Sequence, residues 1–566
     1  MNQALGGWPR SFRRVNSGVV SPFSAQTRAA SLAELADTAV DVLVIGGGIT
    51  GAGIARDAAM RGFRTALVER TDFASGTSGR SSRLIHGGLR YLEHGAFRLV
   101  REATAERRIL LRIAPHLVWP QAFLFPLFSG GRVPRWQMAA GMWLYDALAS
   151  FRNVERHRWL SKRSLVRAEP RLRAEGLLGG PQYFDAQCDD ARLTLANARD
   201  AHYHGALVAT YTEARGFDIA AGRIRKVRLF DRLGGTEILA RPHIVVNATG
   251  PWSDAVRQDG RTLLQCSKGA HVVVSRSRLG LSHAIALLSP VDGRVMFALP
   301  WGDLSYIGTT ETDVDGTPDT VAATADDVVY LLRSANAVFP DARLQPDDVV
   351  ATWAGVRPLA RPLGTRFAGA VSREHVITER AGMISIVGGK LTTYRRMARD
   401  VVDRVARALN ALDGRALAAR AHTDREPLPG GETADLDAIA LEIEREGLAS
   451  QVARRLVRRY GTEAAAVGRL ALQDPTLGQP VIAGGSALRA ELVHAVQREM
   501  ALTLCDLLVR RTHAFYETPG HGVAQADEIA AFVAPYLGWD DARRGAEAHA
   551  YRRHVEHEES FRRHLG

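Results

Sequence analysis

Lysine is almost missing from this chain: of its 73 basic residues only Lys162, Lys226, Lys268 and Lys390 are lysines. Arginine therefore serves wherever positive charge is enough, and a surviving lysine hints at a need for a compact ammonium. Cysteine is scarce as well. Cys188, Cys266 and Cys505 are the 3 cysteines in 566 residues and show no CxxC or metal-ligand spacing, which argues against a disulfide framework or cysteine metal centre and predicts folding in a reducing, cytoplasmic compartment, with no metal expected. No run of about 18 uncharged apolar residues is present, so any membrane contact is expected to be peripheral. Acidic residues are absent from Met1 to Ala33, which carries Arg10, Arg13, Arg14 and Arg28. Transit peptides share that composition, but no clear amphipathic helix is visible in it, and residues 1–38 are expected to be a disordered extension.

What is there describes a globular protein. Hydrophobic residues make up 46% and charged residues 24%, and the length suggests about two to four domains. The net charge of +12 suits nucleic acid, anionic lipid or anionic metabolites. Nucleic acid is not expected, because no basic run is interleaved with exposed aromatics. The sequence leaves the oligomeric state open, a homodimer included.

The most informative local pattern begins at Val42. Val42-Leu43-Val44-Ile45 is an unbroken apolar run ending in Gly46-Gly47-Gly48-Ile49-Thr50-Gly51, a buried parallel strand turning into a helix. The helix, Ala52 to Arg61, is predicted to stop at Gly62, and Thr65 to Val68 form the next strand with Glu69 at its carboxyl end. Gly46, Gly48 and Gly51 fit G-x-G-x-x-G, which lets the backbone approach a pyrophosphate at a helix N-terminus, and Glu69 is placed to bind a ribose hydroxyl. The acidic strand end argues against NADP; the glycines do not separate NAD from FAD. The long polar segment Thr71 to Tyr91 favours an extended flavin.

Apolar runs at Ile244–Val246 and Ile384–Val387 predict further strands of the same sheet. Lys268 to Ser275 and Arg294 to Thr310 alternate and predict an antiparallel sheet in an inserted domain. After Leu428-Pro429-Gly430-Gly431 the spacing becomes helical, as from Ala490 to Arg510.

The segments GGGITGAGIARDA, SSRLIHGGLRYLEHG, VNATGPW, KGAHVVV, IGTTETD, GVRPL and GGKLTTYRRMA occur in this order. Together they resemble FAD-dependent glycerol-3-phosphate dehydrogenases of the respiratory, membrane-associated type, from about Val40 to near Val533. The resemblance implies an α/β fold: an FAD-binding Rossmann-like domain of the D-amino-acid-oxidase superfamily, an inserted antiparallel-sheet substrate domain and a helical C-terminal domain. The expected division is 39–120, 182–255 and 350–410 for FAD, 121–181 and 256–349 for substrate, and 425–566 for the helical domain. It also implies oxidation of glycerol 3-phosphate to dihydroxyacetone phosphate, attachment to the cytoplasmic surface of the inner membrane, and a membrane quinone as acceptor. An oxidase of the same fold using O2 is the alternative.

Carried onto this chain, the resemblance makes Arg90, Tyr91, Arg357, His271 and Lys390 substrate contacts. The expected FAD contacts are Gly46, Gly48, Gly51, Glu69, Thr77, Ser78, Ser82, His86, Gly87, Gly88, Leu89, Gly250, Gly389, Lys390, Leu391 and Thr392. Arginine grips phosphate bidentately. Pro358 predicts an extended Arg357, and a lysine before a helix start can stabilise charge developing on a flavin. As the alcohol loses a proton when hydride leaves, His271, Lys390 or Arg357 is expected beside it; the sequence does not choose. Arg361 lies outside the matched motif and serves as a control. The aromatic stretch from Trp119 to Leu144, with Phe125 and Phe128, reads either as substrate-domain core or as a bilayer-facing plateau.

Overall fold

The computed structural model describes residues 14–15, 18–19, 22–257, 260–314, 317–361 and 375–564; the side chains of Arg90 and His94 lie outside the described set. Two sheets organise it. In the first, Leu207–Ala209, Thr65–Val68, Ala39–Ile45, Thr236–Asn247 and Met383–Val387 run parallel, so the three apolar runs of the sequence do meet in one sheet. Strand alternation explains why Val42 to Ile45 needs no polar residue. Val42 and Val44 pack on the helices Ile49–Met60 and Tyr394–Asp413. Leu43 and Ile45 face the antiparallel strands Thr212–Ala220 and Arg223–Asp231. Both faces are thus buried, as parallel sheets require.

The second sheet is largely antiparallel. Leu264–Ser275 lies between Leu304–Gly308 and Val349–Ala360, and the sheet extends through Val295–Trp301, Ala284–Leu288, Val118–Leu124 and Leu177–Cys188. Val272 and Val274 pack beneath the helix Ala325–Val338. Val273, one residue out of phase, joins the core on the opposite face, which puts His271 on that face too.

Three expectations are corrected. Residues 25–37, read as part of a disordered extension, form a helix whose buried Arg28 pairs with Asp231, and Phe23 lies in the core. Arg28, counted from the sequence as a loose basic residue, is an anchor. Residues 182–188 and 350–360, assigned to the FAD domain, are continuations of second-sheet strands; a strand keeps its partner for its whole length regardless of where a motif ends. The stretch from Ala490 to Arg510 is two pieces, the helix Arg489–Arg498 and the π-helix Asp506–Arg511, divided where Met500 adopts a φ of +52°.

The C-terminal helices bind the loop after Thr65–Val68 and the helix Asp190–Tyr203 through buried ion pairs. Arg511 reaches Asp72 at 2.7 Å, Arg510 reaches the same carboxylate at 2.5 Å, and Arg192 meets Glu499 at 2.5 Å. Burial alone would raise the Asp72 carboxyl; Arg511 and Arg510 bring it below its usual range. Among the described residues no helix is long and apolar enough to cross a membrane.

Candidate active site

A cavity of about 890 Å³ runs between the two sheets. One end is made by the glycine turn. Gly46 has a φ of +111°, and a Cβ there would lie 2.7 Å from the Ala248 carbonyl oxygen, so only glycine fits. Ser78 Oγ accepts from Ile49 N–H at 2.9 Å at the start of the helix. Glu69 accepts from Gly47 N–H at 2.6 Å and Thr71 N–H at 2.8 Å. Burial pushes its carboxyl up, against the hydrogen bonds from Thr71 and Gly47, so a ligand hydroxyl donating to it would relieve a desolvated group.

The other end is cationic and aromatic. Lys390 Nζ stands 3.4 Å from the centroid of the Tyr91 ring, against which His86 stacks at 6.3 Å. Lys390 precedes a short turn, Leu391–Thr393, that runs into the helix Tyr394–Asp413. Arg357 donates to Ser267 Oγ at 3.3 Å, the Lys268 carbonyl at 3.1 Å, Thr309 Oγ1 at 2.9 Å and the Thr310 carbonyl at 3.1 Å. Gly269 makes room for it, since a Cβ there would sit 2.2 Å from its Nη2. His271 Nε2 lies 2.8 Å from Ser82 Oγ, and its ring stacks on Trp353 at 4.8 Å. Burial first, then Arg357 and Arg83, hold its imidazole well below the usual histidine range.

The cleft thus joins a glycine turn and a buried carboxylate at one end to a cationic, aromatic pocket at the other. The family model described as FAD dependent oxidoreductase matches residues 41–395, and that of the C-terminal domain of alpha-glycerophosphate oxidase matches 421–544. A glycerol-3-phosphate dehydrogenase of Mycobacterium leprae is 39% identical over 95% of this chain and 92% of its own. The aerobic glycerol-3-phosphate dehydrogenase of Staphylococcus haemolyticus is 36% identical over 89% and 92%. The chain belongs to the FAD-dependent glycerol-3-phosphate dehydrogenase family. The solved glycerol-3-phosphate dehydrogenase from Bacillus halodurans, complexed with FAD, superposes on it with a TM-score of 0.78 at 32% identity, covering 94% of this chain and 98% of that one. FAD is this family's cofactor, and the glycine cradle and Glu69 suit it.

Of the residues expected from the sequence, Gly46, Gly48, Glu69, Thr77, Ser78, Ser82, His86, Gly88, Leu89, Tyr91, Gly250, His271, Arg357, Gly389, Lys390 and Leu391 line the cavity. The side chain of Arg90 falls outside the described residues. Gly51, Gly87 and Thr392 are not among the lining residues. Gly51 allows the helix to close on the strand, where a Cβ would lie 1.8 Å from the Gly46 carbonyl oxygen. Gly87 donates to Asp185 at 2.9 Å, and Thr392 Oγ1 accepts from His86 N–H at 3.2 Å. Both act on the loop that carries Tyr91. Lys268 pairs with Asp327 at 2.7 Å and is structural.

The aromatic stretch divides between its two readings. Phe123, Leu124 and Phe125 are core residues, Phe125 being 5% exposed, so Phe125 belongs to no plateau. The exposed aromatics are on the helix Arg135–Leu148, where Trp136 is 74% and Trp143 58% exposed while Gln137, Met138 and Leu144 line the cavity. Sequence reasoning missed Asp185, buried where it accepts from Tyr145 Oη at 2.8 Å and pairs with Arg107. A lone acidic residue in the apolar strand Leu177–Cys188 was the signal for it.

Proposed function

We propose that this protein oxidises glycerol 3-phosphate to dihydroxyacetone phosphate by hydride transfer to FAD and passes the electrons to a membrane quinone at the cytoplasmic face of the inner membrane. The observation that carries the reading is the meeting of His271, Arg357, Lys390 and Tyr91 in the cavity that also holds the glycine turn and Glu69. The first sheet serves the flavin, the second the substrate, and residues 425–566 cap them. FAD, when bound, supplies the acceptor for the hydride leaving C2. Arg357, fixed by its hydrogen bonds, orients the phosphate together with Arg90. His271 is held neutral at working pH and takes the proton of the C2 hydroxyl. Lys390 offers a compact positive charge to the negative charge that grows as hydride arrives.

Quinone as acceptor and attachment to the membrane are supported by the helix Arg135–Leu148, which presents Trp136 and Trp143 to solvent while forming a cavity wall. Such aromatic residues suit the headgroup level of a bilayer. Glycerol 3-phosphate added anaerobically to the yellow holoenzyme should bleach it, and unchanged absorbance would defeat the substrate reading. A short-chain quinone should restore the colour faster than air does; fast reoxidation by air with stoichiometric peroxide would make the enzyme an oxidase. Trp136→Ser with Trp143→Ser should weaken flotation with anionic liposomes.

A further inference from the structure

Arg83 has surroundings unlike those of the other buried arginines. Its backbone adopts a φ of +53°, and its guanidinium carbon lies 4.1 Å from the ring centroid of Trp301, 4.9 Å from that of Trp353 and 5.1 Å from that of Tyr516. Arg511 and Arg192 form close pairs with carboxylates, whereas Arg83 Nε is 3.8 Å from Asp190 and makes no hydrogen bond among the described residues. A buried cation is thus presented to π faces, with Asp190 as a more distant carboxylate at 3.8 Å. The box has contributions from distant parts of the chain: Trp301 and Trp353 come from the second sheet, and Tyr516 from the C-terminal helix Ala514–Glu517.

The same box supports His271. Trp353 stacks on the imidazole with an interplanar angle of 15°, and its Nε1–H donates to the Ser81 carbonyl at 3.0 Å. Tyr306 donates to the Ser82 carbonyl at 3.0 Å. Close against the imidazole, a Cβ at Gly308 would stand 2.0 Å from His271 Cδ2. The segment Ser81–Arg83 therefore supplies both the hydroxyl beside Nε2 and the cation behind the tryptophan.

We propose that Arg83 is a positioning residue: its box, closed by Tyr516, fixes the Trp353–His271 stack and places behind it a positive charge that opposes protonation of the imidazole, so proton uptake in the cavity depends on docking of the C-terminal region. The proposal deepens the proposed function and rests on His271 as proton acceptor. The groups facing the imidazole are Arg357 and Trp353 from one strand, Tyr306 from another, and Ser82 and Arg83 from the loop; Asp190, Tyr516 and the buried His513, which packs on Trp301 and Tyr516, surround Arg83. Burial pushes the Asp190 carboxyl up to about 6, against Arg83 and Ser81. Acidification thus removes negative charge beside Arg83 and strengthens its effect.

The test uses holoenzyme and follows flavin reduction by glycerol 3-phosphate in stopped flow between about pH 5.5 and 8, the range in which an unperturbed imidazole titrates. A base acts when neutral, so a raised imidazole value costs activity on the acid side. Wild type should stay level. Arg83→Met should lose rate as pH falls, an acid limb rising into this range, whereas Arg83→Lys, which keeps the charge, should stay level like wild type. Tyr516→Leu admits water to the box and should move the limb in the same direction by less; it decides the matter if Arg83→Met binds no FAD. In histidine labelled with ¹³C at Cε1, the His271 resonance, assigned with His271→Asn, should titrate higher in Arg83→Met without any substrate. A limb and a resonance unmoved in both variants overturn the proposal. A resonance that moves while the rate profile stays level overturns its link to the reaction. Wild type that is never reduced by glycerol 3-phosphate instead defeats the substrate reading and leaves the resonance test standing.

Discussion

The two ends of the cavity are built by opposite means. At the glycine turn the wall is made by backbone: Gly46 and Gly48 leave room for close approach, and Glu69 is hydrogen-bonded to Gly47. At the far end it is made by long cationic side chains, Arg357 and Lys390, each braced by neighbours. On the proposed function the contrast follows from what each end would bind. A cofactor that stays in place tolerates a rigid mould, whereas a small dianion that arrives and leaves as another molecule needs charge that discriminates along the reaction coordinate.

The largest effect should come from breaking the mould. Gly46→Val places a Cβ against the Ala248 carbonyl at a φ of +111°, and the purified variant should show no flavin absorbance. Next comes Lys390→Met, which should keep FAD yet slow flavin reduction by about 10²–10³-fold, the usual cost of one lost stabilising donor; a wild-type rate would remove Lys390 from the chemistry. Arg357→Lys retains charge but loses the fork, and should cost about 1–3 kcal/mol, seen mainly as a raised KM in steady-state assays. The smallest effect belongs to Arg361→Lys, at a residue whose backbone N–H bonds to the Leu263 carbonyl 2.8 Å away. Its kcat/KM should stay within about 0.5 kcal/mol of wild type. Equal losses at Arg357 and Arg361 would erase the distinction between site and scaffold.

Legibility in the sequence follows the same contrast. The mould was readable because strand, turn, helix and Glu69 are contiguous, and local periodicity reports local structure. The cationic end is assembled from positions 91, 271, 357 and 390, and only the family resemblance brought them together. Asp185 and Arg83 escaped because their roles depend on what packs against them: Gly87 and Arg107 for one, Trp301 and Tyr516 for the other. The helix Ala25–Asp37 was hidden by arginine content, since composition does not show that Arg28 would meet Asp231. Phe125 and Trp136 look alike in a sequence; sheet and helix geometry put one inside and the other outside.

The pairing of Asp72 with Arg510 and Arg511 also bears on how the molecule comes apart. Stripping the C-terminal helices from the rest would strand a buried carboxylate, and breaking one such pair costs about 3–5 kcal/mol. Heat should therefore melt both parts in a single calorimetric transition, and a protease that nicks the connection near residue 430 should leave two fragments that stay together. Exchange of this region between relatives should succeed only when the loop carrying Asp72 travels with it, which makes the two segments one unit of inheritance although more than four hundred residues separate them in the chain.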